Sequence, residues 1–223
     1  MILGQERPFI DWDWISRNID EIGEATVEHF THTALAVSVG LVLSFGLSLA
    51  ALRWRRAYAP ITWVTGVLYT IPSIALFTFL VPIFGLTSLL TSQIALVSYT
   101  LLILIRNIVA GVRGVPEQVT EASRGMGMTD RRIFLSIKLP LALPAIIAGV
   151  RVAAVTTIGL VTLTVLVGQG GYGLFILRGI SRQFLTEALV GTSLSVMMAV
   201  VVDTSLLGLE RLVTPWNRST SGI

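Results

Sequence analysis

No formally charged side chain occurs between Thr31 and Leu52, and the stretch ends abruptly in the basic run Arg53-Trp54-Arg55-Arg56. A helix of about 20 apolar residues spans the ~30 Å hydrocarbon core of a bilayer. Four further runs have the same character: Pro60 to Phe84; Leu89 to Ile105, extending to Val112 if Arg106 and Asn107 sit near its end; Leu139 to Val167, broken only by Arg151; and Ala188 to Leu209, broken only by Asp203. In a lipid core the backbone must satisfy its own hydrogen bonds, so runs of this length fold as helices. The expectation is an all-α, polytopic membrane protein with about five transmembrane helices. Composition agrees. Charged residues make up 13% of the chain and hydrophobic residues 53%, against roughly a quarter charged in an ordinary soluble domain.

Basic residues orient the spans. With the N-terminus outside, Arg53, Arg55, Arg56, Arg113, Arg124, Arg131, Arg132, Lys138, Arg211 and Arg218 fall inside, against Arg7, Arg17, Arg178 and Arg182 outside. That asymmetry predicts an outside N-terminus and a cytoplasmic C-terminus. The net charge of +3 is explained in the same way. No basic cluster interleaved with aromatics supports nucleic-acid binding.

Before the first span, Ile15, Ile19 and Ile22 recur at helical spacing beside Trp12 and Trp14. Residues 1–28 are therefore either an amphipathic segment lying in the headgroup zone or a partly ordered tail. The transmembrane body is expected over residues 29–212, with a C-terminal tail at 213–223. The chain has no cysteine, which excludes disulfides and thiolate chemistry. His29 and His32 stand three residues apart with no cysteine near them, so no metal site is expected; both fit a flank at the membrane interface. No nucleophile–base motif or paired intramembrane acid points to catalysis.

One charged segment interrupts this apolar chain, in the loop 113–140. Pro116 and Glu117 suit a helix start. Gly125 and Gly127 suit its end, with Gly127 in the left-handed region. Thr129 or Asp130 then caps a second helix with an apolar stripe of Ile133, Phe134 and Ile137. The spacing predicts two short helices at a sharp bend, projecting below the membrane. A loop of this length is either a protein-docking element or a polar connection between spans, and loops beyond about 12 residues tend to be functional.

Glu121-Ala122-Ser123, Gly127, Ile137 and Leu139-Pro140 stand at the spacing of the cytoplasmic motif of ABC importer permeases. Ser123 replaces the motif's second alanine. Tyr69 to Phe77, Arg106 to Val112, Leu139 to Arg151 and Gly168 to Gly173 further resemble permeases for glycine betaine, choline, carnitine and related osmoprotectants. The resemblance implies the MetI-like core of a type I importer in a bacterial inner membrane. It implies a second permease subunit, identical or sister, and an external solute-binding protein. It also implies two cytoplasmic ATPases that hold ATP and Mg. This chain carries no phosphate-loop signature, so no cofactor is expected in it. The Glu121 segment would seat on the ATPase. Glu121 makes the polar contact, Ala122 and Ser123 allow close approach, and Gly127 permits the bend. Another cargo, such as methionine or a sulfonate, is the alternative within the class; a channel or an intramembrane enzyme lies outside it.

For the path or gate the candidates are Tyr69, Pro72, Arg106, Asn107, Arg151 and Asp203, with Tyr99 and Phe77 as further aromatics. An Arg or Asp inside a span costs about 2.5–3.5 kcal/mol to insert and therefore faces the bundle interior or water. Arg106 and Asp203, each toward the cytoplasmic end of its helix, either pair with each other or, for Arg106 above all, snorkel to the headgroups. The Gly168–Gly173 run lies on the external side, where it is read as a tight re-entrant or gate loop rather than a phosphate loop.

Overall fold

The computed structural model describes residues 10–216; Arg7, Arg218 and the ends of the two terminal segments lie outside it. The described residues form ten α-helices, short 3-10 turns and one π turn, with no strand among them. Four helices pass the length and apolarity expected of a span: α2 (Ile19–Arg53), α5 (Leu89–Arg113), the continuous rod from Asp130 to Val161, and α10 (Leu185–Val213). A bent pair, α3 (Tyr58–Thr70) and α4 (Ser73–Phe84), makes the fifth. The rod comprises α7 (Asp130–Ile133), a π turn at Phe134–Lys138 and α8 (Leu139–Val161). Short helices α1 (Trp12–Arg17), α6 (Glu117–Gly125) and α9 (Tyr172–Ser181) cap the two ends of the bundle.

α5 is the axis of the bundle and packs against α2, α3, α4 and α8. Its contact with α2 is made by small residues. Ala36, Gly40, Ser44, Ser48 and Ala51 are buried along one face of α2, and a Cβ on Gly40 would stand 1.9 Å from Thr100 Oγ1. Close backbone approach of this kind replaces the hydrophobic drive that helices lose in lipid. On the other side Gly111 meets Ala142 and Ala145, and Gly149 meets the Asn107 side chain. Leu76, Phe77, Leu80, Leu96 and Tyr99 fill the core near α4.

Three expectations change. The run Pro60 to Phe84 does not continue as a helix through Pro72. It breaks there and turns by 97°, because the residue before a proline is forced out of the helical region; Ile71 has ψ 128. The freed Ile71 carbonyl accepts a hydrogen bond from the Tyr99 hydroxyl.

Second, the helix after the glycine bend is not a separate short element. It runs into the span, and the π turn, in which Leu139 N–H donates to the Phe134 carbonyl, accommodates the ring and missing N–H of Pro140.

Third, residues 19–28 do not form a segment separate from the first span. They are the first turns of α2, and Ile22 and Ala25 pack on Tyr172 and Phe175. Ile15 and Ile22 of the stripe pack toward α9 and α10, while Ile19 stays 59% exposed. Trp14 edges against Phe175 and Phe184 at 6.1 and 5.6 Å, while Trp12 stays 70% exposed.

Candidate functional site

The ends of α2, α5 and α10 and the start of the rod gather at one end of the bundle, which carries Arg53, Arg55, Arg113, Lys138 and Arg211. α6 projects from this basic end. Its termination follows from local sequence. Gly127 takes φ +80, Gly127 N–H donates to the Arg124 carbonyl at 2.8 Å, and Met128 N–H donates to the Ser123 carbonyl at 3.1 Å. This paired closure needs a left-handed residue, which glycine supplies without a steric cost. Thr129 then caps α7, accepting from Arg132 N–H at 3.4 Å. The exposed pair Arg124–Asp130, 3.1 Å apart, ties α6 to α7 across the bend.

The motif residues divide into two faces. Glu121 and Ala122 are exposed, and Glu121 has no ionic or hydrogen-bonding partner among the described residues. Gly127 is exposed, with open space where a Cβ would stand. Met126 is 73% exposed beside them. Thr120 and Ser123 turn inward, and the Ser123 hydroxyl donates to the Val119 carbonyl at 2.7 Å. Ser123 therefore belongs to the face packed toward the bundle, not to the outer surface expected of it. Ile133 is fully buried below the bend. Ile137, Leu139 and Pro140 are half-buried on the rod, where they connect the bend to the span.

Among the path candidates the expected partnership changes. Asp203 pairs with Arg151, not Arg106. Arg151 Nε donates to Asp203 Oδ1 and Arg151 NH2 to Oδ2, both at 2.9 Å, with Glu210 3.7 Å away. α8 lies along α10 and brings these residues to one height; Arg106 lies on the α5 face toward α3. A two-point guanidinium–carboxylate pair of this geometry keeps both charges satisfied inside a span. Asn107 donates to the Ile103 carbonyl at 2.8 Å and fills the space over Gly149, so it serves the α5–α8 contact. Tyr69, Arg106 and Trp63 instead line one open groove between α3 and α5, of about 690 Å³, close to the Pro72 bend. Tyr69 meets Tyr99 edge-on at 6.0 Å, and Phe77 is buried in the core. Trp63 is the groove residue that sequence reasoning passed over, and its one signal was a lone tryptophan inside an uncharged run.

At the opposite end, the glycine run folds back onto the start of α2. Gly171 N–H donates to Glu28 Oε2 at 3.0 Å and Tyr172 N–H to His29 Nδ1 at 3.3 Å. His29 Nε2 lies 3.0 Å from the Ile158 carbonyl. A carbonyl only accepts and an amide N–H only donates, so these partners assign His29 as neutral with its proton on Nε2. The ring also stacks on Tyr172 at 4.5 Å. His29 and His32 are thus buried packing residues rather than an interfacial flank, and no cluster among the described residues has the donors for a metal. Arg178 bridges Glu21 at 2.8 Å and the buried Glu187 at 2.7 Å, joining α2, α9 and α10. Burial works against the Arg178 charge, yet its bonds and Coulombic contacts with these two carboxylates hold the proton more firmly than usual.

A bundle of spans around one small-residue axis, with an exposed bent helix at its basic end, defines a polytopic membrane protein that holds one helix free of the bundle. The solved inward-facing MetNI methionine ABC transporter contains a chain of the same fold, with TM-score 0.73, 20% identity, and coverage of 92% of this chain and 100% of that one. Residues 42–219 match the family described as "binding-protein-dependent transport system inner membrane component", and the chain belongs to that family. It is 32% identical over 202 residues to an osmoprotectant import permease protein of Salmonella typhimurium, covering 89% of this chain and 94% of that protein. It is 32% identical over 203 residues to a choline transport system permease protein of Bacillus subtilis, covering 91% and 93%. Identity reaches 34% over 191 residues with a carnitine transport permease protein of Listeria monocytogenes, covering 85% and 87%.

Proposed function

We propose that this chain is the permease subunit of an ATP-driven importer for quaternary-ammonium osmoprotectants such as glycine betaine, choline and carnitine. The observation that carries the reading is the exposed Glu121–Ala122 face of α6, held out from the basic end by the Gly127 closure. The relatives' names supply the cargo class.

In this reading α6 seats on one of two cytoplasmic ATPases, which bind ATP and Mg, and the basic end is cytoplasmic with the N-terminus outside. A second permease copy or sister subunit completes the path, and an external protein delivers the solute. Displacement of α6 is passed through the Arg124–Asp130 pair and the Thr129 cap to the rod that continues into α8. Glu121, Ala122 and Gly127 act at the seat; Ser123, Ile137, Leu139 and Pro140 hold α6 to the rod.

Uptake of labelled glycine betaine, choline and carnitine into proteoliposomes tests this, using the assembled complex with its ATPase and binding protein. ATP-dependent uptake of at least one solute is expected. Flux without ATP overturns the reading in favour of a channel. ATP-dependent uptake of methionine or a sulfonate, with none of the three, overturns the cargo.

A further inference from the structure

We infer that the groove between α3 and α5 is a solute subsite built for zwitterions, in which Arg106 holds a carboxylate and the aromatic faces of Trp63 and Tyr69 hold a quaternary ammonium group. The inference rests on the importer reading above and adds to it which solutes the permease itself distinguishes. The groove has a volume of about 690 Å³ and is lined by Thr62, Trp63, Gly66, Tyr69 and Thr70 of α3 and Arg106 of α5. Trp63 is 70% exposed and Tyr69 39% exposed, so both present ring surface to an incoming group.

Arg106 is the exception among the intraspan charges. Arg151 has two carboxylates beside it, whereas Arg106 is exposed and makes no ion pair among the described residues. It stands seven residues before Arg113, about 10 Å along the helix. Arg113 already marks the basic end, with its guanidinium 4.6 Å over the Tyr58 ring. Arg106 thus sits about two turns inside the end of α5, facing the groove rather than the bundle. An unpaired guanidinium inside a span calls for water or an anion, and no acidic residue lines the groove to answer it.

The hydroxyls beside it are already committed: Thr62 donates to the Tyr58 carbonyl at 2.8 Å and Thr70 to the Val67 carbonyl at 2.8 Å. The free functions of the groove are therefore one fixed cation, two aromatic faces, and the Trp63 N–H and Tyr69 O–H at the edges of those rings. A fixed ammonium cation with no N–H binds best to aromatic faces, and a carboxylate binds best to the guanidinium fork. Glycine betaine and carnitine carry both groups. Choline carries the ammonium and a hydroxyl, and lacks the anion.

The test is uptake by the reconstituted complex with the binding protein saturated by each solute in turn, so that the permease step is read. Arg106→Gln should lower the ratio of glycine betaine to choline uptake by roughly tenfold or more, the worth of one hydrogen bond to a charged group. Trp63→Ala should lower uptake of both while leaving the ratio in place. An unchanged ratio in the assembled Arg106→Gln complex, whether total uptake falls or not, overturns the subsite. Should that variant not assemble, Arg106→Lys decides: it keeps the charge and loses the fork, so a reduced ratio supports the subsite and an unchanged one overturns it. Wild-type uptake of choline without either zwitterion also overturns the subsite and leaves the importer reading standing. Uptake of none of the three is a failure of the importer reading itself.

Discussion

At the basic end α6 is turned by bonds that close over three to five residues, from Gly127 to Arg124 and from Met128 to Ser123. At the glycine-loop end Glu28 and His29 are bonded to Gly171 and Tyr172, 143 positions away. The first end is shaped by its own sequence and leaves its outer face free. The second is shaped by the assembled bundle and leaves almost nothing free. On the proposed reading α6 is a moving coupling element and needs the first construction, since it must keep its form while its contacts change. A joint between spans needs the second.

The sharpest break of this contrast is at Gly173. A Cβ there would stand 2.0 Å from the Thr162 carbonyl oxygen and 2.7 Å from its carbon. Both atoms are backbone and cannot swing aside. Gly173→Val should therefore destabilise the protein by about 3 kcal/mol or more, read as a lowered unfolding midpoint in detergent or as failure to recover folded protein. A variant that melts with the wild type would show that this end is not the rigid joint described.

The Arg151–Asp203 pair is a long-range contact of intermediate exposure, so its loss should weigh less. Asp203→Ala strands a guanidinium inside a span with only Glu210, 3.7 Å away, to compensate. A lowered unfolding midpoint is expected, by less than for a fully buried pair because both side chains are partly exposed. Arg151→Met combined with Asp203→Ala should recover most of it, since removing both charges leaves none unpaired. Additive losses in the double variant would refute the pairing; recovery through Arg106→Met instead would restore the partnership read from position along the chain.

What could be read in the sequence follows the same division. The spans were legible because bilayer thickness sets their length. The bend was legible because Gly127 and Thr129 act on neighbours. The partner of Asp203 was not, because it depends on how far α8 slides along α10, and no residue in either run records that. Ile15, Ile19 and Ile22 read as one stripe, yet a break at Asn18 puts Ile15 on α1 and the other two on α2, and an apolar stripe looks the same against lipid as against Phe175. Ser123 could be placed on α6 but not on a face of it until the roll of that helix against Ile133 was known. His29 looked like an interfacial residue because its three ring contacts come from two residues, Ile158 and Tyr172, both distant in the chain.

The smallest effect on stability, and the one that best separates the two constructions, is expected at Gly127. A Cβ meets nothing within 4 Å, so space is not the constraint; φ +80 is. A β-branched residue held in the left-handed region is strained by about 1–2 kcal/mol, and Gly127→Val can relieve that by opening the closure without disturbing a single span. Gly127→Asn should cost much less, because asparagine enters that region readily. Both variants should melt within about 2 kcal/mol of wild type. They should part in function: the valine complex hydrolyses ATP without proportionate solute uptake, while the asparagine complex keeps the two coupled. Equal coupling in the two complexes would mean that the direction in which α6 leaves the bend is immaterial, and that the exposed Glu121–Ala122 face is held by its partner rather than by the chain that carries it.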